Sequence, residues 1–132
     1  MTFKFELVSP ERILVSEDVD QVVLPGAEGD FAVLTGHAPF VSTLRPGVLD
    51  VTAPAGRKRI LVKGGFAEVS PTSLTVLAET AFDIADLDAA RIGRELEQAE
   101  AELAGAKDDE GRLRSATLVE QLRSLQGISR AH

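Results

Sequence analysis

Cysteine, tryptophan and tyrosine are absent from this chain of 132 residues. Without cysteine the protein has no disulfides, thiolate metal ligands or cysteine nucleophiles, so side-chain packing must supply its stability. Without tryptophan and tyrosine it lacks the amphipathic rings that ligand-binding modules commonly present to their ligands. These absences argue against a carbohydrate-binding or small-ligand-binding module.

Long apolar runs and positive charges are also scarce. No run approaches the roughly 18 apolar residues that a membrane-spanning helix requires. The first residues, Met1 to Val8, lack the basic and apolar regions of a signal peptide. The formal net charge of −7 disfavours contact with nucleic acid and with anionic lipid head groups. We therefore expect a protein partner, no nucleic acid, and only an indirect association with a membrane.

The first part of the chain, up to about Ala81, consists of short segments of alternating apolar and polar residues between turns rich in Gly and Pro. This pattern predicts antiparallel strands, because successive side chains of a strand lie on opposite faces. Pro25-Gly26 is predicted to end one of them. Roughly nine short strands at this spacing predict a β-sandwich or flattened barrel. The predicted strands are Phe3 to Val8, Ile13 to Glu17, Val19 to Leu24, Asp30 to Leu34, Val41 to Leu44, Gly47 to Ala53, Arg57 to Lys63, Phe66 to Val69 and Ser73 to Leu77.

After Asp86 the apolar residues recur at spacings of three and four, which predicts amphipathic helices. Asp86 or Asp88 is placed to cap the first helix, and the run from Gly105 to Gly111 separates it from a second helix. Two helices joined by a short turn predict an antiparallel hairpin. The sequence therefore predicts a β-sandwich over residues 1–85 and an α-helical hairpin over residues 86–132. The apolar positions of the two helices are Ala89, Ile92, Leu96, Ala99, Leu103, Leu113, Ala116, Leu118, Val119, Leu122 and Leu125.

Three segments of the chain form a recognisable set when they are taken together. They are Leu24 to Leu34, continuing through Gly36-His37-Ala38-Pro39 to Leu44-Arg45-Pro46-Gly47; Val62 to Val69; and Leu74 to Ala81, leading to Leu87-Asp88-Ala89-Ala90-Arg91. In this order and spacing they resemble the epsilon subunit of F-type ATP synthases over essentially the whole chain. The sizes of the predicted sandwich and hairpin are also similar to those of the family.

The resemblance implies a sandwich of about ten strands with a C-terminal hairpin, in a non-catalytic rotor subunit of a proton-translocating enzyme. In this family the sandwich binds the gamma subunit and rests on the membrane-embedded ring of c subunits. The hairpin extends in some states toward the alpha and beta subunits, where it restrains ATP hydrolysis, and the catalytic sites lie on beta. The resemblance also implies a peripheral location on the cytoplasmic face of the bacterial inner membrane. The alternative is a small ligand-binding β-sandwich unrelated to ATP synthase.

The stretch from Pro25 to Gly47 is rich in glycine but is not typical of an active site. No Lys-Ser or Lys-Thr pair follows its glycines, as a phosphate-binding P-loop requires. His37 has no second histidine or nucleophile placed to work with it. We therefore predict no catalytic residue and no metal site. By the resemblance, Glu28, Asp30 and His37 are candidates for docking on the polar loops of the c ring, and a purely structural loop is the alternative.

The start of the first predicted helix resembles the family's nucleotide-sensing motif, in which Asp88 and Arg91 help to hold ATP. The match is partial, because Ile92 stands where the family has Ala, and Glu95 and Glu97 occupy positions where basic residues are expected. Acidic groups at these positions would repel phosphates. We therefore expect weak or absent ATP binding and no cofactor. The favoured role for these two residues is an N-cap followed by an i, i+3 ion pair between Asp88 and Arg91.

Four arginines give the second predicted helix a basic character in an acidic protein: Arg112, Arg114, Arg123 and Arg130. A solvated surface is the default explanation for such a group. In the family this helix approaches acidic segments of beta. Arg112, Arg114 and Arg123 are therefore predicted to form a basic face that contacts beta.

Overall fold

A computed structural model of the protein describes residues 1–131, and the side chains of residues 1–127. Ten β-strands are followed by a short 3₁₀ helix at Ile84–Asp86 and two α-helices. The fold class predicted from the sequence, a sandwich followed by a helical hairpin, is confirmed. The elements are β1 (Phe3–Val8), β2 (Ile13–Val19), β3 (Gln21–Gly26), β4 (Gly29–Leu34), β5 (Phe40–Leu44), β6 (Gly47–Ala53), β7 (Gly56–Val62), β8 (Gly65–Val69), β9 (Ser73–Leu77), β10 (Ala81–Asp83), α1 (Ala89–Ala104) and α2 (Asp109–Ala131).

The ten strands form one sheet that folds over into two layers. Its order is β10-β7-β6-β3-β5-β8-β9-β1-β2, and β4 pairs with β3 outside this path. β3 pairs with β6 through Gln21, Val22 and Val23, whereas it meets β5 at a single residue pair, Gly26 with Leu44. This single pair marks the seam between a first layer (β10, β7, β6, β3, β4) and a second layer (β5, β8, β9, β1, β2).

The core lies between the two layers, because each strand directs alternate side chains inward. In β1, for example, Phe3, Phe5 and Leu7 are buried and Lys4 is exposed. Burial of each such side chain stabilises the fold by about 1.5–3 kcal/mol. All core residues precede Ile84, so the sandwich has a core of its own. They are Phe3, Phe5, Leu7, Val19, Val22, Leu24, Val33, Leu44, Leu49, Val51, Ile60, Val62, Ala67, Val69, Leu74, Val76 and Ala78.

The hairpin begins at helix caps that the sequence supplies. The Asp88 carboxylate accepts a hydrogen bond from the Arg91 backbone N–H at 2.7 Å, and Asp108 accepts one from the Gly111 N–H at 2.6 Å. These bonds satisfy amide groups that have no partner inside the helix. Helices α1 and α2 then pack along their predicted apolar stripes. The buried residues are Ile92, Leu96 and Ala99 of α1 and Leu118, Val119, Leu122 and Leu125 of α2.

Three features of the strands differ from the prediction. Val19, predicted to begin the third strand, is the last residue of β2, where it pairs with Phe3 of β1. Pro25-Gly26 is predicted to end a strand, but β3 continues through both residues. Beyond Val23 this strand no longer pairs with β6, so a residue without an N–H group is tolerated there. The short strand β10 is additional to the nine predicted, because three residues are too few to show an alternating pattern. It pairs with β7 and extends the first layer.

The chain divides into two compact units, and the second begins at Ala85. This division lies one residue before the boundary predicted after residue 85. It follows the end of β10 and falls within the 3₁₀ helix at Ile84–Asp86.

The assignment of inward and outward faces predicts unequal effects for two leucines of β9. Leu74 is fully buried in the sandwich core, so Leu74→Ala should lower the free energy of unfolding by about 2–5 kcal/mol. Leu77 on the same strand is 46% exposed, and Leu77→Ala should cost less than about 1 kcal/mol. Urea denaturation of the two variants measures the difference. Equal losses would contradict the assignment.

Candidate docking surfaces

The outer face of the second layer carries a row of apolar side chains. The register places Phe66 of β8 beside Leu77 of β9, Leu77 beside Val8 of β1, and Val8 beside Ile13 of β2. We call these four residues the apolar band. Neighbouring strands lie about 4.8 Å apart, so the band extends over roughly 14 Å. Ile13 is 59% exposed, Leu77 46% and Phe66 39%.

On β5 the residue beside Phe66 is Thr43, so the apolar band ends at β8; Val41 is exposed on the same outer face in the adjacent row, beside Glu68. Scattered apolar residues are normal on protein surfaces, whereas a contiguous group marks a binding site for another molecule. The band offers no hydrogen-bonding group along its length. Its chemistry therefore suits an apolar protein surface better than a polar small molecule.

Glu28 and Asp30 lie together at the turn between β3 and β4. Gly26 pairs with Gly29 across this turn, which leaves Ala27 and Glu28 at the exposed tip. Asp30 accepts a hydrogen bond from the Arg45 guanidinium at 2.5 Å. The structure therefore brings two of the three predicted c-ring candidates to one end of the sandwich.

His37 lies at the other end of β4, beyond Leu34. Its backbone N–H donates to the Leu34 carbonyl at 3.1 Å, and its ring lies 6.5 Å from the ring of Phe40. Asp30 and Leu34 are four residues apart in an extended strand, which separates them by about 13 Å. The predicted candidates thus form two sites and not one cluster, and their docking stays a prediction.

The bidentate ion pair between Asp50 and Arg57 joins β6 to β7 at the end away from the β3–β4 turn. Arg57 donates to both carboxylate oxygens of Asp50, from Nε at 2.8 Å and through a second, shorter bond from Nη2. The hydrogen bond from Arg57 is the main reason that the pKa of the Asp50 carboxyl is lowered. This pair closes a hairpin within the first layer, which gives it a structural role.

In the hairpin, Asp88 and Arg91 both make contacts within α1. Asp88 is the N-cap, and the Arg91 Nε atom lies 3.8 Å from Oε1 of Glu95. Glu95 is therefore close enough to attract the guanidinium. The N-cap favoured for Asp88 is therefore observed, whereas Arg91 pairs within α1 with Glu95 and not with Asp88 as predicted, and the absence of ATP binding stays a prediction.

The predicted basic face of α2 is divided by the geometry of the helix. Arg112 and Arg123 are eleven residues apart and lie on the same side, whereas Arg114 lies roughly 200° around the axis from Arg112. Arg112 is 3.7 Å from Asp109, and Arg123 is 4.0 Å from Glu100. The side chain of Arg130 lies outside the described residues. The predicted contact with beta therefore rests on Arg112 and Arg123.

The described residues contain no group of three or more His, Asp or Glu side chains that would hold a metal. Within residues 1–131, no helix is long and apolar enough to cross a membrane. The surfaces that remain for function are the apolar band, the β3–β4 turn, the His37 loop and the arginine side of α2.

Comparison with known proteins identifies the family. The protein-family model for the β-sandwich domain of the ATP synthase delta/epsilon chain matches residues 2–84 of this chain. An ATP synthase epsilon chain of Mesorhizobium japonicum is 48% identical over 126 residues, which cover 95% of this chain and 93% of that one. One of Parvibaculum lavamentivorans is 50% identical over 123 residues, covering 92% and 93%. This chain belongs to the ATP synthase epsilon chain family.

Solved structures of ATP synthases contain chains with the same fold. A chain of the Euglena gracilis mitochondrial enzyme superposes with a TM-score of 0.72 at 23% identity, over 99% of this chain and 82% of that chain. A chain from the central stalk and c ring of the Tetrahymena thermophila enzyme superposes with a TM-score of 0.66 at 13% identity, over 96% and 97%. The fold therefore persists where few residues are shared.

Membership of the epsilon family confirms the resemblance noted in the sequence, and the alternative of an unrelated ligand-binding sandwich is not favoured. The sequence alone shows neither the apolar band nor the ion pair between Arg45 and Asp30. Each residue of the band comes from a different strand, so only the strand register reveals the row. The sequence does contain one sign of this row, which is an apolar residue at an outward-facing position in each of the four strands that form it.

We predict that this epsilon chain does not bind ATP at micromolar concentrations. Asp88 and Arg91 contact their own helix, and Glu95 and Glu97 would repel the phosphates. Isothermal titration of the isolated protein with Mg-ATP should therefore show no heat of binding in the micromolar range. Arg91→Ala serves as the control and should give the same trace. Micromolar or tighter binding that is lost in Arg91→Ala would contradict the prediction.

Proposed function

We propose that this protein is a non-catalytic subunit of the central stalk of an F-type ATP synthase, where it couples gamma to the c ring. The observation that supports this most is the apolar band, which is exposed on a sandwich that needs no partner to complete its core. The match to chains named ATP synthase epsilon chain, over 92–95% of this chain, supplies the context. By family, the coupling ion is the proton and the catalytic sites lie on beta.

The apolar band is the proposed contact with gamma. A rotor contact must resist torque, and a well-packed apolar centre supplies most of the energy in protein interfaces. Phe66 and Leu77 are adjacent on neighbouring strands and form the β8–β9 end of the row, where they are 39% and 46% exposed. Val8 and Ile13 would extend the contact toward the edge of the second layer.

The β3–β4 turn is the proposed contact with the c ring. Glu28 is exposed at its tip, and polar groups at the edge of an interface set its orientation and partner choice. The band and this turn lie at the same end of the sandwich, because Phe66 is next to Gly65, which pairs with Leu44 beside the turn. His37, at the opposite end, would need a separate contact.

The hairpin is the proposed regulatory part. Arg112 and Arg123 share one side of α2, where they would approach acidic segments of beta when the hairpin is extended. In this arrangement the hairpin restrains ATP hydrolysis and leaves the sandwich bound to gamma. The protein would then be peripheral on the cytoplasmic face of the bacterial inner membrane and held there only through its partners.

Substitution of the apolar band tests the proposed contact with gamma. Phe66→Ser combined with Leu77→Ser should weaken binding to gamma by at least about tenfold, because buried anchors of this size dominate interface energies. Leu113→Ser is the matched control, since Leu113 is 70% exposed but lies on the hairpin. Surface plasmon resonance with immobilised gamma measures both. Equal affinity of the double variant and the wild type would contradict the assignment.

Truncation after Ala85 tests the proposed regulation. The sandwich has its own core, so residues 1–85 should still bind gamma. ATP hydrolysis by the assembled enzyme should rise, because the restraining helices are gone. In the full chain, Arg112→Ala with Arg123→Ala should raise hydrolysis part of the way, and Arg114→Ala should not. Unchanged hydrolysis in the truncated enzyme would remove the regulatory proposal and leave the structural one.

A further inference from the structure

Arg45 connects two parts of the sandwich that are distant in sequence. It lies between β5 and β6, and its neighbours Leu44 and Pro46 are buried. Its Nη1 atom donates to the Gly26 carbonyl at 2.6 Å, and Nη2 donates to Oδ1 of Asp30 at 2.5 Å. One guanidinium therefore binds both strands that enter and leave the β3–β4 turn. The planar guanidinium of arginine carries several N–H donors and can bind two acceptors at once, whereas the ammonium group of lysine acts as a single point charge.

The backbone around Arg45 holds the same turn. The Arg45 N–H donates to the Pro25 carbonyl at 3.0 Å, and the Ala27 N–H donates to the Thr43 carbonyl at 3.0 Å. Gly26 leaves no space for a side chain, because a Cβ there would lie 2.6 Å from the Gly29 carbonyl oxygen. The turn is thus tied to the β5–β6 connection by backbone bonds, close packing and the Arg45 side chain.

The ion pair between Arg45 and Asp30 determines which negative charge of the β3–β4 turn is available to a partner. The charge of Asp30 is balanced by that of Arg45; the Asp30 side chain is 62% exposed and the Arg45 side chain 35%. Glu28 is exposed at the tip, and no ion pair or hydrogen bond to its side chain is found within the described part of the chain. Two acidic residues therefore carry one unneutralised negative charge between them.

We propose that Arg45 is a positioning residue, which fixes the β3–β4 turn and neutralises Asp30 so that Glu28 alone presents a negative charge to the partner. The proposal rests on the proposed docking of this turn on the c ring. It assigns the partner a surface that offers positive charge or hydrogen-bond donors at Glu28. It also gives Asp30 an internal role, in contrast to the equal roles that the sequence analysis gives Glu28 and Asp30.

A purely structural role for Arg45 has different consequences. If Arg45 only stabilised the fold, its substitution would lower the melting temperature without changing how binding depends on salt. If it positions the charged turn, substitution changes the affinity and its salt dependence while the protein stays folded. Charged groups at the edge of an interface act in the second way.

The test is the affinity of full-length variants for a gamma–c-ring complex over a series of salt concentrations. Glu28→Gln should weaken binding by about tenfold at low salt and flatten the salt dependence. Asp30→Asn should weaken binding less than Glu28→Gln does, because the Asn amide oxygen can still accept the hydrogen bond from Arg45 and Glu28 keeps its charge, although the charge of Arg45 is then unpaired. Arg45→Gln should weaken binding about as much as Glu28→Gln, and Arg45→Lys should restore part of the loss.

Arg57→Gln is the matched control, because Arg57 also forms an ion pair with an aspartate, Asp50, but lies at the other end of the first layer. It should bind as the wild type does. Melting temperatures within about 5 °C of the wild type show that each variant is folded. If Asp30→Asn is as harmful as Glu28→Gln, or if Arg45→Gln binds normally, the inference is overturned. If the wild type itself does not bind the complex, the proposed function fails and the inference fails with it.

Discussion

Strand β3 is hydrogen-bonded to β4 along its whole length, to β6 through its first half, and to β5 only where Gly26 meets Leu44. This change of partner forces the sheet to fold over, so that the inner faces of two layers share one core. Neither layer could bury its apolar face alone, since a single sheet leaves one face against water. The change of pairing partner along β3 therefore determines the core, the seam between the layers and the position of the β3–β4 turn.

The same alternation that fills the core determines the outer surface. When Ala67 and Val76 face inward, Phe66 and Leu77 must face outward, because successive side chains point to opposite faces. An apolar residue at an outward position gains nothing from the fold of the isolated sandwich. Its burial by a partner would stabilise a complex instead. The outward apolar residues of the band are therefore explained by binding to a partner and not by folding of the isolated sandwich.

The sequence predicts the strands and helices well because burial is periodic along the chain. Phe3–Val8 shows the alternation in six residues, and Leu118, Leu122 and Leu125 form the buried stripe of α2. Contacts between distant segments are not visible in this way. Glu28, Asp30 and His37 are close in sequence but lie at two ends of β4. Arg45 donates a hydrogen bond to Asp30, which is fifteen residues away in the sequence, and no local sequence pattern predicts this contact.

The central claim is that the sandwich turns with the rotor, in contact with gamma and the c ring. Because the chain has no cysteine, Leu77→Cys, Glu28→Cys and Thr52→Cys each provide a single site for a photoreactive cross-linker in the assembled enzyme. We expect Leu77→Cys to cross-link to gamma and Glu28→Cys to the c subunit. Thr52→Cys, on the outer face of the first layer, should link to neither. Cross-links from positions 77 and 28 to alpha or beta alone, or to no subunit of an intact enzyme, would contradict the account.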